Sequence, residues 1–259
     1  VDDEFMQKLE HRDPTAMSLW VKILKSRVET GEPYIMFKDN VNNANPPAYK
    51  KNNLEVSMTN ICSEITLFTD DEHSFICCLS SVNLTKYDEW KNSDLVETAI
   101  YFLDGVLEEF LAKTSGRESL IRAHRSAKKG RAIGLGVLGW HTYLQNQRIP
   151  FGSIRATSLT HQIFADLRTK AETASRKLAD EYGEPVWCKG TGQRNTHLLA
   201  IAPTVSNSTI AGGVSAGIEP IPANVYTFNS AKGTFIRKNQ ALVDYLEEKG
   251  ANTEEVWDQ

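Results

Sequence analysis

Long stretches of the chain carry an apolar residue at every third or fourth position, which is the spacing of an amphipathic helix. Four such stretches are predicted as helices: Pro14–Thr30, 94–113, Ile154–Tyr182 and 241–250. Asp13 is suited to cap the first of them, and Gly31 is suited to end it.

Shorter runs are rich in β-branched and aromatic residues and are predicted as strands. They lie at residues 33–42, 54–68, 74–84, 132–144 and 197–204. Residues 224–239 are predicted to form a hairpin around "NSAKG", residues 46–53 a polar loop, and the acidic "TDDEH" a turn. Because strands and helices alternate along the chain, the sequence predicts an α/β fold.

Composition narrows the class of protein. With 259 residues, 41% of them hydrophobic, the chain can bury the core of one large domain or two small ones. The net charge of -4 and the lack of a Lys/Arg run give nucleic-acid binding no support. No apolar run has the length of a membrane helix and no signal peptide is recognised, so we expect a cytoplasmic protein. The ends, Val1 and "TEEVWDQ", suggest a piece of a longer or split protein, or a trimmed chain.

The segment "TNICSEI" places an amide, a thiol and a carboxylate at alternate positions. In an extended chain Asn60, Cys62 and Glu64 would share one face. One interpretation is an edge strand with a solvated polar face. The other is a reactive thiol flanked by a hydrogen-bonding amide and a general base. The spacing alone does not choose between them.

The remaining cysteines raise a similar choice. Cys77 and Cys78 are adjacent, so only one of them can face a neighbouring active-site strand. They are either two small buried side chains or one redox thiol beside one packing thiol. Cys188 has no visible partner and is predicted to be structural.

A cluster of hydroxyl and amide side chains follows the predicted strand at 197–204. It comprises Thr204, Ser206, Asn207, Ser208 and Thr209. Such a Ser/Thr-rich turn suits a phosphate group, although an ordinary capped loop has the same composition.

The segment "GLGVLG" at residues 134–139 has the spacing of a dinucleotide-binding fingerprint. The segment stays apolar through the glycines. The next acidic residue, Asp166, lies farther along the chain than the roughly 20 residues at which a dinucleotide-binding site has its acidic residue. We therefore interpret it as a packing segment. The six histidines show no ligand spacing, and no metal site is predicted.

Several of these segments together resemble the catalytic large subunit of ribonucleotide reductase. "NICSEI" resembles the finger-loop motif of that family, and "CCLSSVNL" is similar to the strand that bears one of its redox cysteines. "RNTHLLAIAPTVSNST", followed by "GIEP", resembles its substrate-phosphate loop. "ETGEPYIMFKDNVN" and "GLGVLGW" also match the family, so the resemblance covers nearly the whole chain. The hairpin is similar to that of aerobic class I enzymes of bacteriophage type.

The resemblance implies a role for each candidate residue. Cys62 would become a transient thiyl radical that abstracts the 3′-hydrogen of a ribonucleotide, and Glu64 would take the 3′-hydroxyl proton. Asn60 would hold the sugar. Cys77, chosen over Cys78 by its offset from the Leu-Ser-x-x-Asn-Leu pattern, would supply reducing equivalents. The substrate diphosphate would be bound by Ser206, Asn207, Ser208 and Thr209.

The resemblance also implies a fold and a set of partners. Residues 1–259 would be an incomplete part of the ten-stranded catalytic barrel, with helices outside and Cys62 on a finger loop in a dry interior. The chain would bind no cofactor itself. A small subunit with a dinuclear metal centre would supply the radical, and thioredoxin or glutaredoxin the reducing power. The upstream redox cysteine, the regulatory region, the tyrosine pair and the CxxC tail of the family would come from a complementary chain.

The sequence leaves three further hypotheses open. A cobalamin-dependent reductase shares the Asn-x-Cys-x-Glu arrangement. A degenerate chain could serve only as an assembly module. A dinucleotide-dependent oxidoreductase could be built on "GLGVLG".

Overall fold

The structure, a computed structural model, describes residues 1–230 and 233–258. These residues form twelve α-helices and four β-strands, with three short 3₁₀ turns at 84–86, 118–120 and 186–188. The helices are α1 Asp3–Glu10, α2 Pro14–Thr30, α3 Lys38–Asn43, α4 Pro47–Asn52, α5 Tyr87–Trp90, α6 Leu95–Thr114, α7 Ile121–Gly130, α8 Trp140–Asn146, α9 Ile154–Tyr182, α10 Val205–Ile210, α11 Gln240–Glu248 and α12 Glu254–Trp257. The strands are β1 Leu79–Asn83, β2 Gly134–Leu138, β3 Val225–Ser230 and β4 Gly233–Lys238. The predicted α/β class is confirmed.

The chain divides into two compact units. Unit one comprises Val1–Cys78, Asp104–Ile133 and Ser175–His197. Unit two comprises Leu79–Leu103, Gly134–Ala174 and Leu198–Gln259. None of the helices in the described residues combines the length and the apolar character that a bilayer crossing needs.

The predicted long helices are confirmed, and their ends have visible causes. The Asp13 carboxylate accepts a hydrogen bond from the Ala16 N–H (2.8 Å), which satisfies a free donor in the first turn of α2. Gly31 ends α2 in the left-handed conformation, with φ of 81°, which costs glycine little. The helices predicted at 94–113, 154–182 and 241–250 correspond to α6, α9 and α11.

Unit two is organised around a parallel pair of strands. β1 pairs with β2 from Leu79 opposite Gly134 to Asn83 opposite Leu138, and all of β2 is buried. The backbone of Leu199 and Ala200 runs against β2, and a Cβ on Gly136 would collide with the Ala200 carbonyl oxygen. The glycines of "GLGVLG" therefore allow close approach of two backbones, as expected for a packing segment.

A second sheet in unit two is the predicted hairpin. β3 and β4 are antiparallel, from Val225 opposite Lys238 to Ser230 opposite Gly233. Two residues of the predicted "NSAKG" turn, Ala231 and Lys232, lie outside the described residues.

Several strand and loop predictions in unit one are wrong. Residues 33–42 contain no strand and enter α3, residues 46–53 form α4 instead of a polar loop, and no strand forms at 54–68. The side chain of Asn42 explains part of this difference. Its amide donates to the Val56 carbonyl (2.9 Å) and accepts from the Val56 N–H (2.8 Å). One side chain thus satisfies the backbone groups that a neighbouring strand would otherwise pair.

Four other segments of the chain also differ from prediction. Of the strand predicted at 74–84, only β1 forms, and of that predicted at 132–144 only β2, followed by α8. Residues 197–204 contribute a single bridge, through Leu199. The predicted Ser/Thr-rich turn is the short helix α10.

A buried ion cluster fixes the polar interior of unit one. Asp104 of α6 accepts hydrogen bonds from Arg131 (2.8 Å) and Arg194 (2.9 Å), and from the side-chain amide of Asn195 (3.0 Å). The same amide donates to the Arg131 carbonyl (2.9 Å). Burial acts to raise the pKa of Asp104, but the two guanidinium groups outweigh it, so that its pKa lies below the ordinary value.

We expect Gly136→Ala to lower the free energy of unfolding by about 1–3 kcal/mol, because the new methyl group must displace the Ala200 backbone. Gly105→Ala is the matched control, since Gly105 lies in α6 with open space around it. We expect Gly105→Ala to raise the free energy of unfolding by about 0.5–1 kcal/mol, because alanine favours a helix more than glycine does. Urea denaturation followed by circular dichroism measures both. Equal effects of the two substitutions would contradict the packing role of Gly136.

We expect Asp104→Asn to lower the free energy of unfolding by about 3–5 kcal/mol at neutral pH, because two arginines lose a buried partner. The folded pKa of Asp104 is lowered, so its carboxylate stabilises the fold above roughly pH 4 and that stabilisation is lost as the pH falls through the folded pKa. The variant should therefore approach the parent chain in acid. Glu108→Gln is the control: Glu108 also binds Arg131, but its side chain is 67% exposed, and the change should cost less than about 1 kcal/mol.

A candidate active site around Cys62

Cys62 lies at the tip of a tight turn in unit one. The Asn60 N–H donates to the Ile65 carbonyl (3.3 Å), and the Ser63 N–H donates to the Asn60 carbonyl (3.0 Å). Ser63 adopts the left-handed conformation, with φ of 68°, which lets the chain reverse. The prediction that Asn60, Cys62 and Glu64 share a face of an extended strand is therefore wrong, because the backbone folds back between them.

The Asn60 side chain closes this turn and binds Glu64. Its carbonyl oxygen accepts from the Ile65 N–H (2.9 Å), and its amide nitrogen donates to the Glu64 carboxylate (2.7 Å). Both side chains are half-buried. The amide thus holds the carboxylate against the turn, by a geometry different from the one predicted.

The Cys62 thiol is exposed in this chain. The expectation of a dry interior is therefore not met by the chain on its own. In the described residues the strands form two separate two-stranded sheets, and neither is closed into a barrel that could shield the turn.

Cys77 and Cys78 differ in accessibility. Cys77 is exposed, whereas Cys78 is buried and has its pKa raised to about 11, chiefly by burial. The pKa of Cys77 is also raised, first by partial burial of the thiol and then by the charges of Glu64 and Cys62. Unit one thus brings Cys77 within electrostatic reach of both groups of the turn. Cys188 is fully buried with a pKa raised to about 12, as suits a structural thiol.

A groove that the sequence patterns did not reveal borders the turn. It has a volume of about 320 Å³, and its walls come from the Tyr34–Val41 segment and from Thr59, Ser63 and Thr66. Tyr34 and Phe37 are both exposed although large and apolar, which is the signal in the sequence that could have marked this segment.

The predicted phosphate segment lies in unit two, as helix α10. Ser206 and Asn207 are exposed, whereas Ser208 is buried and its hydroxyl donates to the Val205 carbonyl (3.1 Å). The Ser208 hydroxyl, predicted to bind phosphate, is thus hydrogen-bonded within its own helix, where a serine side chain can reach the carbonyl of the residue three positions earlier. Thr209 is half-buried.

Arg237 of β4 is a charged neighbour of this helix that the sequence analysis missed. Its guanidinium donates to the Thr209 hydroxyl (3.2 Å) and lies over the Phe228 ring, 4.0 Å from the centroid. The ring and the hydroxyl hold the cation beside α10, where it can add to the attraction for an anion. In the described part of the chain no group of three or more His, Cys, Asp or Glu side chains could hold a metal ion.

Comparison with known proteins identifies the relatives of this chain. The family described as "Ribonucleotide reductase, barrel domain" matches residues 3–191 and 187–259. A protein of Frog virus 3 (isolate Goorha), named for the large subunit of ribonucleoside-diphosphate reductase, is 43% identical over 94% of this chain and 43% of its own length. A vitamin B12-dependent ribonucleoside-diphosphate reductase of Thermoplasma acidophilum is 29% identical over 99% of this chain and 35% of its own length.

A solved structure is also similar over the whole chain. The class Id ribonucleotide reductase alpha subunit of Actinobacillus ureae superposes with a TM-score of 0.92 and 44% identity, covering 100% of this chain and 48% of that one. The chain therefore spans less than half the length of these relatives.

We expect Glu64→Gln to make Cys77 react roughly two- to threefold faster with iodoacetamide near neutral pH. Loss of the carboxylate charge removes one cause of the raised pKa and increases the thiolate fraction. The rate is measured against pH, with the modified cysteine located by fragment-ion mass spectrometry. Glu55→Gln is the control, because Glu55 is exposed and forms its ion pair with Lys38. An unchanged Cys77 rate in Glu64→Gln would contradict the closeness of these two groups.

Proposed function

Because this chain belongs to the ribonucleotide reductase barrel-domain family, we propose that residues 1–259 are part of the catalytic barrel of a ribonucleoside-diphosphate reductase large subunit. The proposed reaction is the thiyl-radical reduction of ribonucleotides to 2′-deoxyribonucleotides. The single observation that carries the proposal is the turn that presents Cys62, with Asn60 binding Glu64 beside it. A structural turn needs no thiol at its tip and no carboxylate held by an amide.

The chemistry we propose begins at the Cys62 sulfur. As a thiyl radical it takes the 3′-hydrogen of the substrate and becomes a thiol, while Glu64 accepts the proton of the 3′-hydroxyl group. The 2′-hydroxyl group then takes a proton from one thiol of the reducing pair and leaves as water, and the proton held by Glu64 returns to the 3′-oxygen when the sugar is reduced. After reduction of the sugar, the Cys62 thiol returns a hydrogen atom to C3′ and regains its radical. Asn60 holds the carboxylate that this sequence of steps needs, and its oxygen is already committed to the Ile65 N–H.

Cys77 is proposed as one of the two thiols that reduce the sugar and end in a disulfide. Its exposure and its electrostatic coupling to Cys62 and Glu64 support this role. Cys78 is a poor candidate, because it is buried and its pKa is raised to about 11. The second thiol of the pair would come from sequence outside this chain.

We assign the substrate diphosphate to helix α10. Ser206 and Asn207 are exposed, and Thr209 contacts the Arg237 guanidinium. These groups offer donors and a positive charge to an anion. Ser208 is proposed to stabilise α10 through the hydrogen bond from its hydroxyl to the Val205 carbonyl, and not to bind the diphosphate directly.

The proposed partners follow from the similarity of this chain to large subunits of ribonucleotide reductase. A small subunit with a dinuclear metal centre supplies the radical when it is bound. Thioredoxin or glutaredoxin restores the dithiol, and the remaining large-subunit sequence encloses the Cys62 turn. The four cysteines, all within the described residues, are not in disulfides, which suits the reducing cytoplasm.

A cobalamin-dependent reductase is the second candidate function. The observation that favours it is the similarity of this chain to the vitamin B12-dependent reductase of Thermoplasma acidophilum. The two candidates are separated by the source of the radical. Turnover with adenosylcobalamin in the absence of a small subunit would favour the cobalamin-dependent enzyme.

We expect Cys62→Ser to abolish deoxyribonucleotide formation, by more than about a thousandfold, when the chain is combined with the remaining large-subunit sequence and a small subunit. A hydroxyl group cannot replace the thiyl radical. Cys77→Ser should block multiple turnover, whereas Cys78→Ser is the matched control and should keep activity within about tenfold. The product is measured by chromatography of labelled nucleotides.

Two results would contradict the proposal. Full activity of Cys62→Ser would leave the chain as an assembly module. Multiple turnover by residues 1–259 with a small subunit and a reductant alone would show that no complementary sequence is needed.

A further inference from the structure

The stretch between the Cys62 turn and Cys77 contains a second, acidic turn. The Asp70 N–H donates to the His73 carbonyl (3.1 Å), and the Asp70 carboxylate accepts from the Glu72 N–H (2.9 Å). From residue 64 to residue 78 the chain has no helix and no strand. The position of Cys77 relative to Cys62 therefore depends on tertiary contacts made by this stretch.

Helix α7 supplies those contacts through three basic residues on one face. Arg122, Arg125 and Lys129 are spaced by three and four positions, so they follow one side of the helix. Arg122 donates to the Asp70 carbonyl, Arg125 pairs with the Glu72 carboxylate, and Lys129 contacts the His73 ring. The Arg122 carbonyl also accepts from the Ser74 N–H (3.3 Å).

The His73 ring connects the acidic turn to helix α7. Its Nδ1 lies 2.8 Å from the Asp70 carboxylate, and its Nε2 lies 2.8 Å from the Lys129 amine. A protonated lysine can only donate, so Nε2 accepts and the ring hydrogen is on Nδ1, facing Asp70. The ring is buried, and its centroid lies 5.7 Å from that of Phe68 and 5.4 Å from that of Trp187.

We propose that these contacts form a latch, comprising the Asp70–His73 turn and the three basic residues of α7, which positions the Cys77 thiol against Cys62 and Glu64. The inference deepens the proposed function and rests on it for the roles of the two thiols. The latch residues are positioning residues, because none of them touches the reacting sulfur atoms.

Cys77 lies on a stretch that has neither helix nor strand. Such a segment moves readily unless tertiary contacts hold it. Transfer of reducing equivalents needs the thiol close to the sugar, and a displacement of about 1 Å can cost roughly a hundredfold in rate. Buried His73 links the carboxylate of its own turn to the amine of α7, so breaking this link frees the segment before Cys77.

The test uses two variants that break the latch at different atoms. Lys129→Met removes the amine and keeps a long side chain, while His73→Phe keeps a ring against Phe68 and Trp187 and removes both nitrogens. In each we expect Cys77 to be alkylated faster at neutral pH by at least about twofold, since it moves away from the Glu64 charge and becomes more exposed. Adding Glu64→Gln to either variant should then change the rate little, whereas it accelerates the reaction in the parent chain.

Two matched controls separate positioning from general destabilisation. Lys128→Met removes a basic residue that neighbours Lys129 but is exposed, and it should leave the alkylation profile of Cys77 unchanged. Lys129→Arg keeps a donor at the same place and should restore the parent profile. Circular dichroism establishes that each variant is folded.

Failure of the latch can be distinguished from failure of the proposed function. An unchanged Cys77 profile in both latch variants, or an undiminished Glu64→Gln effect in them, would overturn the latch. If the profile changes as expected, the latch stands as a positioning device for the thiol, whether or not the parent chain forms deoxyribonucleotides. In the reconstituted enzyme the latch variants should lower kcat more than they change KM, because substrate binding does not use Cys77.

Discussion

The candidate site depends on two hydrogen bonds made by the carboxamide of Asn60. One end of this side chain binds the Ile65 N–H and closes the turn, and the other end binds the Glu64 carboxylate. The two bonds use the acceptor and a donor of a single group, so closing the turn and orienting the acid cannot be separated. Cys62 is carried at the tip of the turn as a consequence. A carboxylate in place of this amide would repel Glu64, and a hydrocarbon would lose both bonds.

The supporting structure of unit one extends outward from that turn. The latch on α7 holds the chain that runs from the turn to Cys77, and the Asp104 cluster binds Arg131, the residue that follows α7. In the Asp104 cluster the buried charges are paired with one another, which is the condition for burying them. The exposed thiol is the exception in this arrangement, and it lies where a substrate and further sequence would have to approach.

The sequence predicted local features well and long-range features poorly. The ends of α2 follow from Asp13 and Gly31, and the glycines of "GLGVLG" were correctly interpreted as packing positions. The errors at residues 33–68 arose because the apolar pattern there resembles strands, whereas Asn42 pairs with Val56 through its side chain. No periodicity reveals such a contact. The alternation at Asn60, Cys62 and Glu64 suggested an extended strand, whereas the chain forms a turn in which Asn60 binds Glu64. Arg237 and Lys129 were missed because their partners lie 28 and 56 residues away in sequence.

In the proposed reaction the sulfur of Cys62 takes the 3′-hydrogen of a ribonucleotide. The most direct measurement compares turnover of a ribonucleoside diphosphate with that of the same substrate carrying deuterium at C3′, using the chain combined with its complementary sequence and small subunit. The account predicts slower turnover of the deuterated substrate in competition and retention of deuterium at C3′ of most of the product, because the sulfur returns the atom it removed. Equal rates for the two substrates, together with no exchange of the 3′-hydrogen with water, would contradict the account.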